Sequence, residues 1–99
     1  MERRFPIIVV VRLSRMRHSS SKEEERTYTD NISAHGARVF SKGFWQPGEQ
    51  VEVTPLNEES PMQGEVVYCR RLDSDHFCLG LKFQGRPVTW STLRRYLGK

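Results

Sequence analysis

Residues 28–40 read YTDNISAHGARVF, a polar bend followed by a short alternating run. After Gly36, Ala37 and Val39 fall on one side and Arg38 on the other, the period-two pattern of a strand with one buried face. A glycine that closes a polar turn just before such a run marks one of two things. Either the backbone there needs a positive φ, or another group approaches it too closely for a side chain. Asn31 and Ser33 stand just ahead of the turn. Short hydrogen-bonding side chains at a rigid strand start suit a ligand's oxygens and ring nitrogens.

Working outward, residues 26–31 read as a further paired strand. The segment Ile7 to Leu13 is rich in β-branched residues and too short for a helix, so it is predicted to be a buried first strand, with Pro6 leading into it. Between them residues 18–25 offer no apolar partner to a core and are predicted to form a mobile polar loop. Residues 42–49 punctuate the chain through Pro47-Gly48. The large aromatics there, Phe44 and Trp45, either cover the end of a core or form a stacking platform. Val51 and Val53 share a face of a strand that ends at Pro55, and a further run follows Gly64. Phe77, Leu79, Leu81 and Phe83 then alternate with Cys78, Gly80 and Lys82, the cleanest period-two signal present. Trp90, Leu93, Tyr96 and Leu97 have helical spacing, with Ser91 as the predicted cap. The sum is an all-β fold, a six-stranded antiparallel barrel with a short C-terminal helix. Closing the sheet removes the exposed edges that so small a domain cannot leave open.

Ninety-nine residues with 36% hydrophobic content support a single domain, 1–99, and no second core. The longest apolar stretch, Phe5 to Val11, falls far short of the roughly 20 residues of a membrane helix. Arg12, Arg15 and Arg17 follow it directly, unlike a secretion signal. A cytoplasmic protein without membrane insertion is expected. Cys69 and Cys78 read as ordinary half-buried thiols, and adding His76 gives too few ligands for zinc, so no metal is expected. The formal charge of +4 is unevenly spread, with Arg3, Arg4, Arg12, Arg15 and Arg17 crowded near the start. That distribution suits an anionic partner. Glu23, Glu24 and Glu25 interrupt the basic field and argue against a continuous nucleic-acid track. No paired carboxylates, metal spacing, nucleophile elbow or phosphate loop is present, and Ser33 with His35 is too local to make a triad, so no catalytic residues are assigned.

With these residues in view the chain resembles the PilZ domain family, known for binding the bacterial second messenger cyclic di-GMP on a six-stranded barrel. The resemblance runs through ERRFPIIVVVRLS, DNISAHGARV, PGEQVEVT, GEVVYCR and FCLGLKF. The family's (Asp/Asn)-x-Ser-x-x-Gly motif falls on Asn31, Ser33 and Gly36. Its Arg-x-x-x-Arg motif falls on Arg3, which puts Ile7 where the second arginine belongs; the frame from Arg4 ends at Ile8. Half of the arginine clamp is therefore missing, and losing such a charge-assisted contact costs roughly 1.5–3 kcal/mol. Arg12, Arg15 or Arg17 are candidates to compensate in space.

The resemblance implies a receptor for cyclic di-GMP with no other cofactor. Arg3 and Arg4, on a flexible arm spanning residues 1–6, would close over the ligand. Asn31 and Ser33 would meet it from the barrel surface, where each otherwise satisfies its own turn. Gly36 would keep the bend open. His35 would reach a phosphate or stack on a guanine, Arg38 would add a phosphate contact, and Gly80 would leave room for a base against the sheet. Asp30 would repel phosphates unless an arginine neutralises it. A ligand would order the arm, and the loop through Lys22, and so change the surface offered to a downstream protein partner. Two other readings remain. One is a degenerate PilZ-like interaction module without nucleotide, in which Ile7 extends an apolar docking surface. The other is a small basic barrel for nucleic acid.

Overall fold

A computed structural model describes residues 3–15, 23–56 and 60–97, with the backbone alone at 96 and 97. Six strands are formed: β1 (Val10–Arg15), β2 (Glu23–Ser33), β3 (Gly36–Ser41), β4 (Gln50–Pro55), β5 (Met62–Asp73) and β6 (His76–Phe83). A helix, α1 (Ser91–Leu97), follows. The strands close into a barrel in the order β1-β2-β3-β6-β5-β4, every neighbouring pair antiparallel. Period-two alternation drives the closure: Val11, Leu13, Ile32, Val39, Val51, Val53, Leu79 and Leu81 all point inward and are buried. Trp90 and Leu93 pack onto this core, Trp90 edge-on to Phe83 at 5.8 Å.

The acidic run does not form a loop. Glu23, Glu24 and Glu25 open β2, paired with Arg15, Ser14 and Leu13 of β1. Each carboxylate has a partner there: Glu23 meets Arg15 at 3.5 Å, while Ser14 and Ser41 donate to Glu24 and Glu25 at 3.3 and 2.6 Å. Composition alone does not reveal such pairings. Residues 18–22 of that predicted loop, Arg17, and residues 1–2 of the arm lie outside the described residues.

The regular ladder of β1 starts at Val10, later than the apolar run suggests. Thr29, fully buried in β2, replaces the missing rungs with its side chain. Its Oγ1 accepts from the Val9 amide at 3.0 Å and donates to the Ile7 carbonyl at 2.8 Å. Thr29→Val keeps the shape but orphans both groups, and urea denaturation is expected to give a loss of about 2 kcal/mol.

Ile7 is 3% exposed and belongs to the core, so it extends no docking surface; Ile8 beside it is 70% exposed. The helix bond from the Arg94 amide ends on the Trp90 carbonyl, which makes Trp90 the cap residue and Ser91 the first helical one. Trp45 closes the barrel end. Its indole donates to Ser41 Oγ at 3.1 Å, and the Arg15 guanidinium lies 4.1 Å from its ring. Phe44, more than half exposed, meets Phe77 edge-on. Cys69 leans on the core and Cys78 is buried, both as free thiols. Among the described residues no helix is long and apolar enough to cross a membrane.

Candidate functional site

The β2–β3 hairpin turns through Ala34 and His35, and the end of β6 and the segment after it pin it. The His35 carbonyl accepts from the Phe83 amide and the Ala34 carbonyl from the Val88 amide, both at 2.8 Å. Gly36 has no positive φ; among the described glycines only Gly48 and Gly85 do. Close approach is what requires a glycine here, since a Cβ would stand 2.7 Å from the Leu81 carbonyl oxygen. Removing the side chain lets β3 lie against β6 at the rim of the site.

The register of β2 and β3 slips between Thr29 and Asn31, which leaves Asp30 as an extra residue. Alternation is reset, so Asp30 and Asn31 both sit on the outer side between buried Thr29 and Ile32. Asp30 then meets Arg38 in a two-pronged pair at 2.8 and 2.7 Å. The carboxylate that would repel an anion is thus neutralised, and the hydrogen bonds from Arg38 to it push the guanidinium pKa further above its ordinary value.

The N-terminal arm lies across the same bend. Phe5 bridges to Ile32 through paired backbone bonds of 2.9 and 3.0 Å. This brings Arg4 over the hairpin, where its Nη1 donates to Asn31 Oδ1 at 2.9 Å. Between the arm, the bend and the outer faces of β5 and β6 lies an open groove of about 570 Å³. Arg4, Asn31, His35, Arg38 and Lys82 supply its polar wall, and Gly36, Ala37, Gly80 and Leu81 its floor; Val67 and Tyr68 complete it.

Three predicted site residues stand elsewhere than expected. Ser33 is 0% exposed and does not line the groove; its Oγ donates to the Gly36 carbonyl at 3.4 Å inside the bend. Arg3 stacks on Phe5, 5.1 Å from the ring centroid, and also stays out of the groove wall. Gly80 leaves no open space for a base, because the Tyr68 ring lies on it: a Cβ would come within 2.1 Å of the ring. A second bulge, between Val66 and Tyr68, turns Val67 and Tyr68 outward together and aims that ring across β6. Neither compensating arginine within the described residues reaches the groove, for Arg12 faces elsewhere and Arg15 is held by Glu49 and Trp45.

Reading the sequence missed Tyr68, Val67 and Lys82. Lys82 was within reach, being two residues beyond Gly80 on the same outward side. Tyr68 depended on a bulge that alternation does not announce. Chemically the groove offers forked guanidinium, amide and ammonium donors beside an aromatic face, which suits a ligand that is both anionic and planar. It offers no activated nucleophile. Burial pushes the nearby Cys78 thiol up, away from the reactive thiolate. Among the described residues no group of three metal-ligating side chains is assembled.

The family model of the PilZ domain matches residues 2–99. A solved structure titled as the Bacillus subtilis inhibitor of motility, MotI/DgrA, is similar in fold. It shares 22% sequence identity with a TM-score of 0.68, over 99% of this chain and 51% of that one. The chain thus spans about half the length of that protein. No curated protein matches the sequence. The chain belongs to the PilZ domain family, a family of cyclic di-GMP receptor and adaptor domains that do not catalyse reactions.

Proposed function

We propose that this chain is a receptor for cyclic di-GMP and that the nucleotide lies in the groove beneath the N-terminal arm. The observation that carries this reading is the Arg4–Asn31 bond on the groove's rim. It places a planar guanidinium next to the motif asparagine at the mouth of a cavity that is also lined by Lys82 and by Arg38, already paired with Asp30. A bis-phosphate with two purines needs this combination: Arg4 forks onto phosphate or a guanine edge, Lys82 offsets phosphate charge while Arg38 keeps Asp30 from repelling it, and the Tyr68 ring gives a purine a face to stack on. Ser33 and Gly36 hold the bend in shape. Binding exchanges the Arg4–Asn31 bond for bonds to ligand and tightens the arm, which alters the surface shown to a downstream protein.

Calorimetric titration with cyclic di-GMP is expected to show micromolar binding, weakened at least roughly tenfold by Arg4→Ala, the usual effect of removing a charge-assisted bond. Ser33→Ala is expected to weaken it less, through the bend. Absence of heat and of amide shifts at high ligand would rule the reading out. That only one arm arginine lines the groove also favours a modest affinity, because the side chain that follows Arg4 by four positions is Ile8.

A further inference from the structure

We infer that the outer face of β1 and β2 is a docking surface for an acidic, amphipathic helix of a partner protein. The inference does not depend on nucleotide binding. Outward positions of the two strands face each other in register, Val10 opposite Tyr28 and Arg12 opposite Arg26. The first pair belongs to an exposed apolar strip. Ile8 is 70% exposed, Tyr28 46%, Val10 42% and Leu56 40%. These residues are neighbours: Ile8 and Val10 share the outward side of one segment, the Leu56 amide donates to the Val10 carbonyl at 3.2 Å, and the Tyr28 ring lies 5.0 Å from that of Phe40. A contiguous apolar strip on a sheet face, rimmed by charged residues, is a candidate interaction surface.

The second pair fixes the partner's charge. Like charges directly opposite each other on adjacent strands repel. Among the described residues neither Arg12 nor Arg26 makes an ion pair. The acidic groups of the next row, Glu24 of β2 and Glu52 of β4, both opposite Ser14, accept hydrogen bonds from Ser14 and Gln63 respectively. A carboxylate seated between the two guanidinium groups would remove the repulsion while an apolar ridge covers Val10 and Tyr28. The barrel is closed, with β1 held by β2 on one side and β4 on the other, so no edge is free for strand addition. A helix that docks through its side chains remains.

Arg12, Arg26, Val10 and Tyr28 all lie outside the groove wall. The test is a display library of amphipathic helical peptides spanning acidic, neutral and basic faces, selected on the full chain without nucleotide. Selected peptides are then titrated by fluorescence anisotropy. Acidic sequences are expected to be enriched, with amide shifts on β1 and β2. Affinity should fall roughly tenfold or more with Arg12→Glu/Arg26→Glu, and also with the milder Arg12→Gln/Arg26→Gln. Tyr28→Ser should act in the same direction, and none of these changes should alter cyclic di-GMP titration. The inference is overturned by enrichment of neutral or basic peptides, by shifts on another face, by acidic peptides indifferent to the charge changes, by no enrichment, or by a chain that dimerises through this face.

Discussion

Replacing Ile8 by arginine is expected to tighten cyclic di-GMP binding by roughly ten- to hundredfold, the worth of one charge-assisted contact to phosphate or guanine. The same substitution one residue earlier, Ile7→Arg, is expected to leave a chain that does not fold. The contrast comes from which of two adjacent arginines starts the Arg-x-x-x-Arg spacing. Counted from Arg3, the second position is Ile7, at 3% exposure within the core. A guanidinium there has no partner, and an unpaired buried charge costs several kcal/mol, most of what a domain this small has. Counted from Arg4, the second position is Ile8, outside the core at 70% exposure and four residues beyond Arg4, which lines the groove. Titration of Ile8→Arg and the far-ultraviolet circular dichroism of Ile7→Arg decide between the frames. Unchanged affinity in the first, or a folded second, would show that the Arg4 frame is wrong.

Gly36→Val is expected to damage fold and site together. Its Cβ would stand 2.7 Å from a backbone oxygen of β6, and backbone cannot swing aside as a side chain can. β3 must then separate from β6 where Arg38 pairs with Gly80 and Ala37 with Leu81. A loss at the upper end of the roughly 1–3 kcal/mol typical of overpacking is expected in urea denaturation, with cyclic di-GMP binding lost as the groove floor moves. A variant as stable as the parent would mean that β3 and β6 do not approach as described.

The barrel was legible in the sequence because its inward residues obey a strict period of two on β3, β4 and β6, and because glycines and polar turns separate the runs. What the period could not supply was each departure from it. The slip at Asp30 decides that Asp30 and Asn31 share a side and that Arg38 neutralises the extra carboxylate. The bulge beside Val67 decides that Tyr68 covers Gly80. Both are single-residue insertions into a ladder, set by tertiary fit rather than by the local pattern. The acidic start of β2 was misread for a similar reason, since Ser14, Arg15 and Ser41, distant in sequence, are what stabilise Glu23 to Glu25 there. At the site, Asn31, His35, Gly36, Arg38 and Arg4 were legible from the motif and its surroundings. The buried Ser33 and the arm position facing the core were not, because spacing along a chain does not say which side of a bend a hydroxyl takes.

An amide-shift titration of the isotopically labelled chain with cyclic di-GMP measures most directly whether the arm and bend form one anion-accepting cradle. Saturable shifts are expected at Arg4 and Phe5, from Asn31 through Arg38, and around Tyr68 and Gly80. In Arg4→Ala the whole set should need at least roughly tenfold more ligand. No shifts up to millimolar ligand, or shifts confined to strands away from the groove and indifferent to Arg4→Ala, would contradict it.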